Sequence, residues 1–247
     1  VGRFDHTAEA MRFCNDASLG GIAIVAPRTA EAGLSDLKRL AIPSVLVAYK
    51  PRDPDLSFID LDNVAAGRIL VEHLAGEGHR RIASIGGEVR LSSNARDRHE
   101  GFLEGMRLAG LPVDKRLVHN RDFKPAFGAE AFEGMMRLPE NARPTAVFCA
   151  TDMMAVAVIE AAKRRGMTVP DDLAVAGIDD NPEAASASLT TVHSPFYEMG
   201  ARAGEILRAL TEGARGEPQR ELLPPRLLIR GSTRRESPLS RREKPPR

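Results

Sequence analysis

The sequence predicts an α/β fold with parallel β-sheets, and three observations lead to this prediction. Between Pro144 and Asp180 a short apolar run, a helical pattern and a second apolar run follow one another. Such uninterrupted apolar runs are typical of strands that are buried on both faces of a parallel sheet. The same alternation of helix and strand recurs along most of the chain. The chain has 247 residues, 43% of them apolar, which is enough to bury a sizeable core.

The stretch from Pro144 to Asp180 predicts a strand, a helix and a second strand. Residues 145–150 form the first apolar run, and Thr151 or Asp152 can cap the helix that follows. Residues 173–177 form the second run, which a right-handed crossover would place parallel to the first. Polar residues therefore collect at the carboxyl ends of both strands, where open α/β sheets bind their ligands.

The chain before this stretch alternates in the same way. The predicted elements are helices at residues 10–17 and 34–41, strands at 22–26, 44–48, 58–61 and 80–85, a helix through 102–109, a strand at 117–118 and a helix at 131–138. Asp62 follows the short strand at 58–61 and is placed to cap a further helix that ends near Gly76.

The chain after the central stretch predicts three more elements and a tail. Residues 190–193 predict a short strand, residues 199–210 an amphipathic helix ended by Gly213, and residues 226–230 a last strand. The Pro- and Arg-rich residues 235–247 predict a disordered tail.

Composition excludes several classes of function. The formal net charge of +1 gives no basis for a nucleic-acid or membrane surface spread over the whole molecule. Cys14 and Cys149 lie on apolar sides of predicted elements, which favours buried thiols in a reducing, cytoplasmic compartment over a disulfide. No run of about 18 apolar residues and no signal peptide is visible.

Several motifs together resemble one known family. They are IDLDNVAAGRILVEHLAGEGHRRIASIGG, RDRHEGF, TDMMAVAV, VPDDLAVAGIDD, LTTVHSP and LLPPRLLIRGST. In this order they resemble the effector-binding core of the lactose repressor/galactose repressor (LacI/GalR) family of bacterial transcription regulators. The agreement covers most of residues 20–234, which is more specific than any single motif.

The resemblance implies two doubly wound parallel-sheet lobes of the type I periplasmic-binding-protein kind, with a ligand cleft between the lobes. The first, truncated lobe would contain residues 1–78 and 195–222, and the second would contain residues 79–194 and 223–234. It implies an effector, most simply a sugar or sugar derivative, whose binding rearranges the lobes of a homodimer and so controls operator binding. It implies no enzymatic activity, no metal and no cofactor.

The resemblance also assigns ligand-binding positions one by one. Each matches a polar or aromatic position of the family's motifs, although Ile178 replaces a common phenylalanine and Thr151 replaces a common Asn or Ser. The positions are Asp62, Asn94, Arg98, Phe123, Thr151, Asp179 and Phe196.

The chemistry of these residue types suits a carbohydrate. Asp62 and Asp179 can accept hydrogen bonds from hydroxyls, and Arg98 can donate two parallel bonds and stays charged. Phe123 and Phe196 can cover the apolar face of a sugar ring. A purine or an organic acid could use the same set, so sugar is the choice that the resemblance favours.

Each of these residues also has a purely structural alternative. Asp62 and Asp152 can be helix caps, which is the preferred interpretation for Asp152, and Asp180 can satisfy backbone donors after its strand. Arg98 can be a solvated helix residue, and Phe123 and Phe196 can be core residues. His79 and His193 lack the spacing of a metal or catalytic site and are expected to be structural.

The family also carries an N-terminal helix-turn-helix, a hinge helix and a first β-α-β segment, and nothing before Val1 resembles them. We therefore expect an incomplete chain that reaches operator DNA only through a domain absent here. The strand at residues 22–26 would then lack its usual neighbours and expose an edge that favours association.

Two other functions remain open from the sequence. The first is a periplasmic sugar-binding protein of a transport system, which has a similar fold. The second is a metal-dependent hydrolase that uses Asp152, Asp179 and Asp180 at the strand ends. No phosphate-binding glycine loop and no G-x-S-x-G motif supports an enzyme.

Overall fold

The computed structural model of the protein describes residues 19–26, 42–213 and 217–234. Its strands are β1 (Ile22–Val25), β2 (Ser44–Val47), β3 (Phe58–Leu61), β4 (Ile82–Gly86), β5 (Val118–Asn120), β6 (Ala146–Cys149), β7 (Ala174–Asp179), β8 (Thr190–His193), β9 (Arg220–Leu223) and β10 (Arg226–Leu228). Its helices are α1 (Asn63–Gly76), α2 (Ser93–Leu108), α3 (Pro125–Met135), α4 (Asp152–Arg164), α5 (Pro182–Ser186) and α6 (Phe196–Thr211). Cys14, the predicted helices at 10–17 and 34–41 and the tail at 235–247 lie outside the described residues.

The chain divides into two compact units. Unit 1 takes the described parts of Val1–Asn63, Glu88–Asp97 and Pro195–Pro225, and unit 2 takes those of Val64–Gly87, Arg98–Ser194 and Arg226–Arg247. The sequence-based division instead placed residues 64–78 in the first lobe and residues 88–97 in the second. The two divisions therefore differ at both segments, and also at residues 223–225, which the sequence-based division placed in the second lobe and which lie in unit 1.

Helix α1 belongs to unit 2 because it packs directly on the α2 residues of that unit. A Cβ atom on Gly101 would lie 2.1 Å from the carbonyl oxygen of Val64, and one on Gly67 would lie 2.6 Å from that of Arg98. Neither distance leaves room for a side chain, so the two helix backbones touch. The helical period predicted that α1 exists but could not indicate which element it packs against.

Unit 1 contains a parallel sheet with the strand order β1-β2-β3-β9. Strands β1, β2 and β3 confirm the predicted strands. Strand β9 was not predicted, because Leu223 is its only fully buried residue and the sequence RELL carries little apolar signal. It pairs with β3, with Leu223 opposite Leu61 and Arg220 opposite Phe58.

Unit 2 contains a sheet with the strand order β10-β8-β7-β6-β4-β5. All neighbours are parallel except β10, which runs antiparallel to β8. The predicted β-α-β unit is confirmed as β6, α4 and β7, and Cys149 in β6 is fully buried. Strand β5 begins one residue later than predicted because residues Lys115–Leu117 form a 3₁₀ turn.

The order of strands in unit 2 creates a switch point. The chain leaves β4 towards β5 on one side, and then continues from β6 through β7 to β8 on the other side. Strands β4 and β6 are neighbours, so their connections run in opposite directions. In open α/β sheets the crevice outside the carboxyl ends of such strands is the usual ligand site. In unit 2 this position lies between the ends of β4 and β6.

The helices are of ordinary length for a globular protein. The longest, α2 and α6, have 16 residues each. Across residues 19–26, 42–213 and 217–234, no helix combines the length and the apolar character needed to span a bilayer.

Candidate functional site

Arg98 lies in the second turn of α2 and reaches the switch point of unit 2. Its side chain is only 5% exposed, so the alternative of a solvated helix residue is wrong. The guanidinium donates a hydrogen bond to the carbonyl oxygen of Ala150, directly after β6. Its other terminal nitrogen lies 3.4 Å from the carboxylate of Asp179. A planar guanidinium held from two sides keeps one orientation, which favours recognition of paired ligand oxygens.

Asp179 is the last residue of β7 and carries a charge that its surroundings disfavour. Burial raises the pKa of its carboxyl to about 6, although the positive charge of Arg98 acts in the opposite direction. The backbone is also unusual, with φ of +135° at Asp179 and +61° at Asp180. Positive φ values in residues other than glycine cost free energy and are concentrated at functional sites.

Asp152 holds this strained turn in place. One carboxylate oxygen accepts hydrogen bonds from the backbone N–H groups of Asp180 and Asn181, at 2.6 and 3.1 Å. The other accepts from the hydroxyl of Thr191 at 2.6 Å. Burial raises the pKa of Asp152 in spite of these three bonds. The preferred interpretation of Asp152 as a helix cap is therefore wrong, because its carboxylate bonds to the turn after β7.

The carboxylate of Asp180 bonds to an arginine and a histidine instead of the backbone. Its carboxylate accepts a hydrogen bond from Arg230 at 2.6 Å and lies 2.9 Å from Nδ1 of His193. Burial acts to raise the pKa of Asp180, but the bonds from Arg230 and His193 outweigh it, and the pKa lies below its ordinary value. The expectation that Asp180 satisfies backbone donors after its strand is wrong, because Asp152 accepts those hydrogen bonds.

The three aspartates of the hydrolase alternative thus have three different sets of partners. Asp152 binds backbone and hydroxyl donors, Asp179 faces Arg98, and Asp180 faces Arg230 and His193. Within the part of the chain that the structure describes, no group of three or more His, Cys, Asp or Glu side chains is arranged to hold a metal ion. The arrangement does not resemble a metal cluster.

Thr151 and Phe123 lie at two other strand ends of unit 2. The hydroxyl of Thr151 accepts a hydrogen bond from the backbone N–H of Met154 at 3.4 Å, so Thr151 is the N-cap of α4. Phe123 follows β5, and its ring lies so close to Gly87 that a Cβ atom there would be 2.6 Å from ring carbons. The ring is partly buried and packs against the core of unit 2.

Ser194 is a residue of this site that sequence analysis missed. It follows β8 directly, is 3% exposed, and its backbone N–H donates to the carbonyl oxygen of Asp179 at 3.2 Å. Its hydroxyl is buried and makes no hydrogen bond of ordinary geometry within the described part of the chain. The rule that polar residues at the ends of parallel strands meet at one edge could have identified it within the motif LTTVHSP.

The other three predicted residues lie on separate elements of unit 1. Asp62 follows β3, directly before α1, and its backbone N–H donates to the carbonyl oxygen of Leu223. Asn94 is in the first turn of α2 and accepts a hydrogen bond from the hydroxyl of Ser93 at 3.3 Å. Phe196 begins α6 and is 54% exposed, so the alternative of a core residue is wrong for it.

Unit 1 also has a cavity of about 270 Å³ that sequence analysis did not identify; we call it the arginine cavity. Three arginines, two serines, a tyrosine and a valine line it. They are Tyr49, Arg52, Val89, Arg90, Ser92, Ser93 and Arg96. Arg90 and Arg96 lie close together before and in α2, but Arg52 follows β2 far earlier in the chain, so no local pattern reveals that the three meet.

The site in unit 2 can bind a ligand that carries several hydroxyl groups. Asp179 offers a carboxylate acceptor and Arg98 a donor fork of fixed orientation. Phe123 offers an apolar ring next to the backbone of Gly87. The carboxylates of Asp152 and Asp180 are held by donors of unit 2 itself, so Asp179 and Arg98 are the groups best placed to contact a ligand. Binding is therefore the chemistry that this geometry supports.

Comparison with known proteins agrees with this geometry. Residues 71–233 match the family described as the periplasmic binding protein-like domain. The chain is 36% identical over 212 residues to the HTH-type transcriptional regulator DegA of Bacillus subtilis, covering 84% of this chain and 61% of that protein. It is 32% identical to the HTH-type transcriptional repressor CytR of Escherichia coli K12, covering 83% of this chain and 59% of that one.

Solved structures give the same result for the fold. A complex of the transcriptional regulator CelR with cellobiose has a TM-score of 0.84 at 28% identity, covering 92% of this chain and 69% of that one. A LacI-type transcriptional regulator from Bacillus cereus subsp. cytotoxis NVH 391-98 has a TM-score of 0.86 at 28% identity. The match covers 96% of this chain and 85% of that one.

The chain spans about three fifths of the length of the curated relatives that it matches. The matched family covers about two thirds of the chain and includes Arg98, Asp179 and the whole sheet of unit 2. The chain therefore belongs to the LacI/GalR family and contains the periplasmic-binding-protein-like, effector-binding core of that family.

Proposed function

We propose that this chain is the effector-binding and dimerisation core of a cytoplasmic transcription regulator, and that its effector is a sugar or sugar derivative. The observation that carries the proposal is the pair of the buried Arg98 and the partly buried Asp179 at the switch point of unit 2. A buried arginine beside a carboxylate of raised pKa, on a strained turn, is typical of a binding site.

A polyhydroxylated ligand fits the polarity of this pair. Adjacent hydroxyls can donate to the Asp179 carboxylate and accept from the Arg98 guanidinium. Such bonds favour the charged form of Asp179 that burial alone disfavours. A ligand of this kind therefore offsets the unfavourable desolvation of the Asp179 charge, which favours binding.

Relatives support a role in regulation. DegA and CytR are named as HTH-type regulators, and CelR is a transcriptional regulator in complex with the sugar cellobiose. In such a protein an effector changes DNA affinity only by binding one conformation better than another, and DNA then changes effector affinity by the same factor. We assign DNA contact to a helix-turn-helix of the kind that the relatives' names describe, and this core to the effector.

The proposal is tested by measuring effector dissociation constants for Arg98→Ala and Asp179→Ala. We expect each substitution to weaken binding by about 2 to 4 kcal/mol, because the partner left behind is buried and loses its ionic or hydrogen-bonding counterpart. Isothermal titration calorimetry is the suitable method, since the chain has no Trp for intrinsic fluorescence.

Arg107→Ala is the matched control, because Arg107 lies on the same helix, α2, and its side chain is exposed. It should bind the effector like the wild type. Wild-type affinity in both Arg98→Ala and Asp179→Ala would show that the effector site lies elsewhere.

A further inference from the structure

We propose that the arginine cavity of unit 1 binds an oxyanion, either the phosphate or the carboxylate group of a small ligand. This inference goes beyond the proposed function, because it concerns the charge of a ligand and rests on residues other than Arg98 and Asp179. Inorganic phosphate and the acidic group of a larger effector share the chemistry that would recognise them, and the experiment below separates the two.

The lining of the cavity suits an anion. Arg52, Arg90 and Arg96 supply guanidinium groups, which match the geometry of phosphate and carboxylate oxygens. No Asp or Glu is among the described residues that line the cavity. With a volume of about 270 Å³ it is slightly smaller than the roughly 300–1,000 Å³ of drug-sized ligand sites, which fits one acidic group with a small attached portion.

The ion pairs at the edge of the cavity involve Arg96 and Lys50 but not Arg90. Asp97 is 4% exposed and lies 2.8 Å from Nε of Arg96 and 3.5 Å from Nζ of Lys50, so a single carboxylate faces two cations. Glu88 is also near in sequence, but its carboxylate accepts a hydrogen bond from the backbone N–H of Arg90 at 3.2 Å. Arg90 has no ion-pair partner among the described residues. The positive charge of Arg90 is therefore available to a ligand.

The start of helix α2 adds polar groups to the same wall. Ser92 and Ser93 line the cavity just where the helix begins. Ser93 is 2% exposed, and its hydroxyl accepts from the backbone N–H of Lys50 at 3.0 Å, which ties the loop after β2 to α2. The positive end of a 16-residue helix then faces the region that the arginines surround, and both favour negative charge there.

The inference is tested by titrating three kinds of probe into the wild-type chain at constant ionic strength. The probes are inorganic phosphate, a hexose 6-phosphate paired with its neutral hexose, and an aldonic acid paired with its neutral aldose. Constant ionic strength is needed because exposed charges are screened by salt. We expect saturable binding of at least one anionic probe and tighter binding of each acid than of its neutral partner.

Arg90→Gln and Arg52→Gln should each weaken binding of the anion about tenfold or more, because each removes a charged donor. Arg208→Gln is the matched control: it removes the same charge from unit 1 on an exposed side chain of α6 whose partner is Glu212. It should leave anion affinity unchanged. Binding of inorganic phosphate alone identifies a separate anion site, whereas binding of only the acidic sugars identifies an acidic effector.

The inference is overturned if no anionic probe binds, or if an anion binds equally well to Arg90→Gln, Arg52→Gln and the wild type. A neutral sugar that binds the wild type and Arg90→Gln equally, while no anion binds, would overturn this inference and leave the proposed function intact. Loss of that same neutral sugar in Arg98→Ala would then still support the unit 2 site.

Discussion

Asp179 has a partly buried carboxylate whose pKa is raised, so its effect on stability depends on pH. Its pKa is about 6 in the folded chain, against about 3.9 in an unfolded one. Between these two values the folded chain holds more protons than the unfolded chain, so the contribution of Asp179 to stability falls as pH rises from about 4 to 6. Above about pH 6 the ionised Asp179 lowers the free energy of unfolding by its full amount, about 3 kcal/mol.

We therefore expect Asp179→Asn to increase the free energy of unfolding at pH 7.5 by up to about 3 kcal/mol, since it removes a buried charge of net unfavourable energy. The gain should decrease as pH falls from about 6 and vanish near pH 4. Chemical denaturation at several pH values measures it. The same variant should bind effector more weakly, which is the usual trade between stability and function.

Asp172→Asn is the control for that experiment. Asp172 is exposed, and hydrogen bonds from Thr168 hold its pKa below the ordinary value, so its loss should give no gain in stability above pH 6. If Asp179→Asn were no more stable than the wild type at pH 7.5, Arg98 would be compensating the buried charge fully.

Single residues show where sequence analysis worked and where it did not. Asp179 and Arg98 were identified from strand ends and a family motif, and the structure places them together. The predicted roles of Asp152 and Asp180 were wrong. Both residues follow strands, and the local sequence does not indicate which backbone N–H groups point towards which carboxylate. The left-handed turn at residues 179–180 decides this, and it has no local signal, since neither residue is glycine.

At the scale of elements, the helices and strands were predicted where apolar periodicity is strong. The unit β6, α4 and β7 has short apolar runs and clear helix ends, and it is confirmed. Strand β9 was missed because it is largely exposed, and α5 was missed because five residues are too few for a helical period. Contacts between helices, such as that of α1 with α2, also depend on tertiary packing and not on local pattern.

The contact between α1 and α2 gives a prediction about glycine. Gly101→Ala should destabilise the chain by about 1 to 3 kcal/mol, because its Cβ atom would lie 2.1 Å from the carbonyl oxygen of Val64 and the helices must separate. The midpoint of a denaturant titration measures the change.

Gly200→Ala is the matched control within a helix. Gly200 lies in α6, and a Cβ atom there would meet nothing within 4 Å. This substitution should therefore stabilise the chain by up to about 1 kcal/mol through helix propensity. Equal effects of the two substitutions would show that α1 and α2 are not in close contact.

At the scale of the whole molecule, the fold and the family follow from many weak signals that agree in order. The sequence motifs, the strand order of unit 2 and the matched family all lead to the same effector-binding core. The chemical class of the effector does not follow from the fold, because related folds bind different ligands through side chains at the same edge. We propose that those side chains are Arg98 and Asp179 in unit 2, and that the arginine cavity of unit 1 is a separate site.

Whether the effector binds beside Arg98 and Asp179 is decided by a calorimetric melt of this chain with a panel of sugars, sugar phosphates, polyols and purines, repeated with Arg98→Ala. We expect one ligand class to raise the melting temperature of the wild type. At about 100 times its dissociation constant it should add about 2.7 kcal/mol, which is several degrees for a chain of this size. The same ligand should shift Arg98→Ala much less. A ligand that raises both melting temperatures equally would contradict effector binding at the Arg98 and Asp179 site.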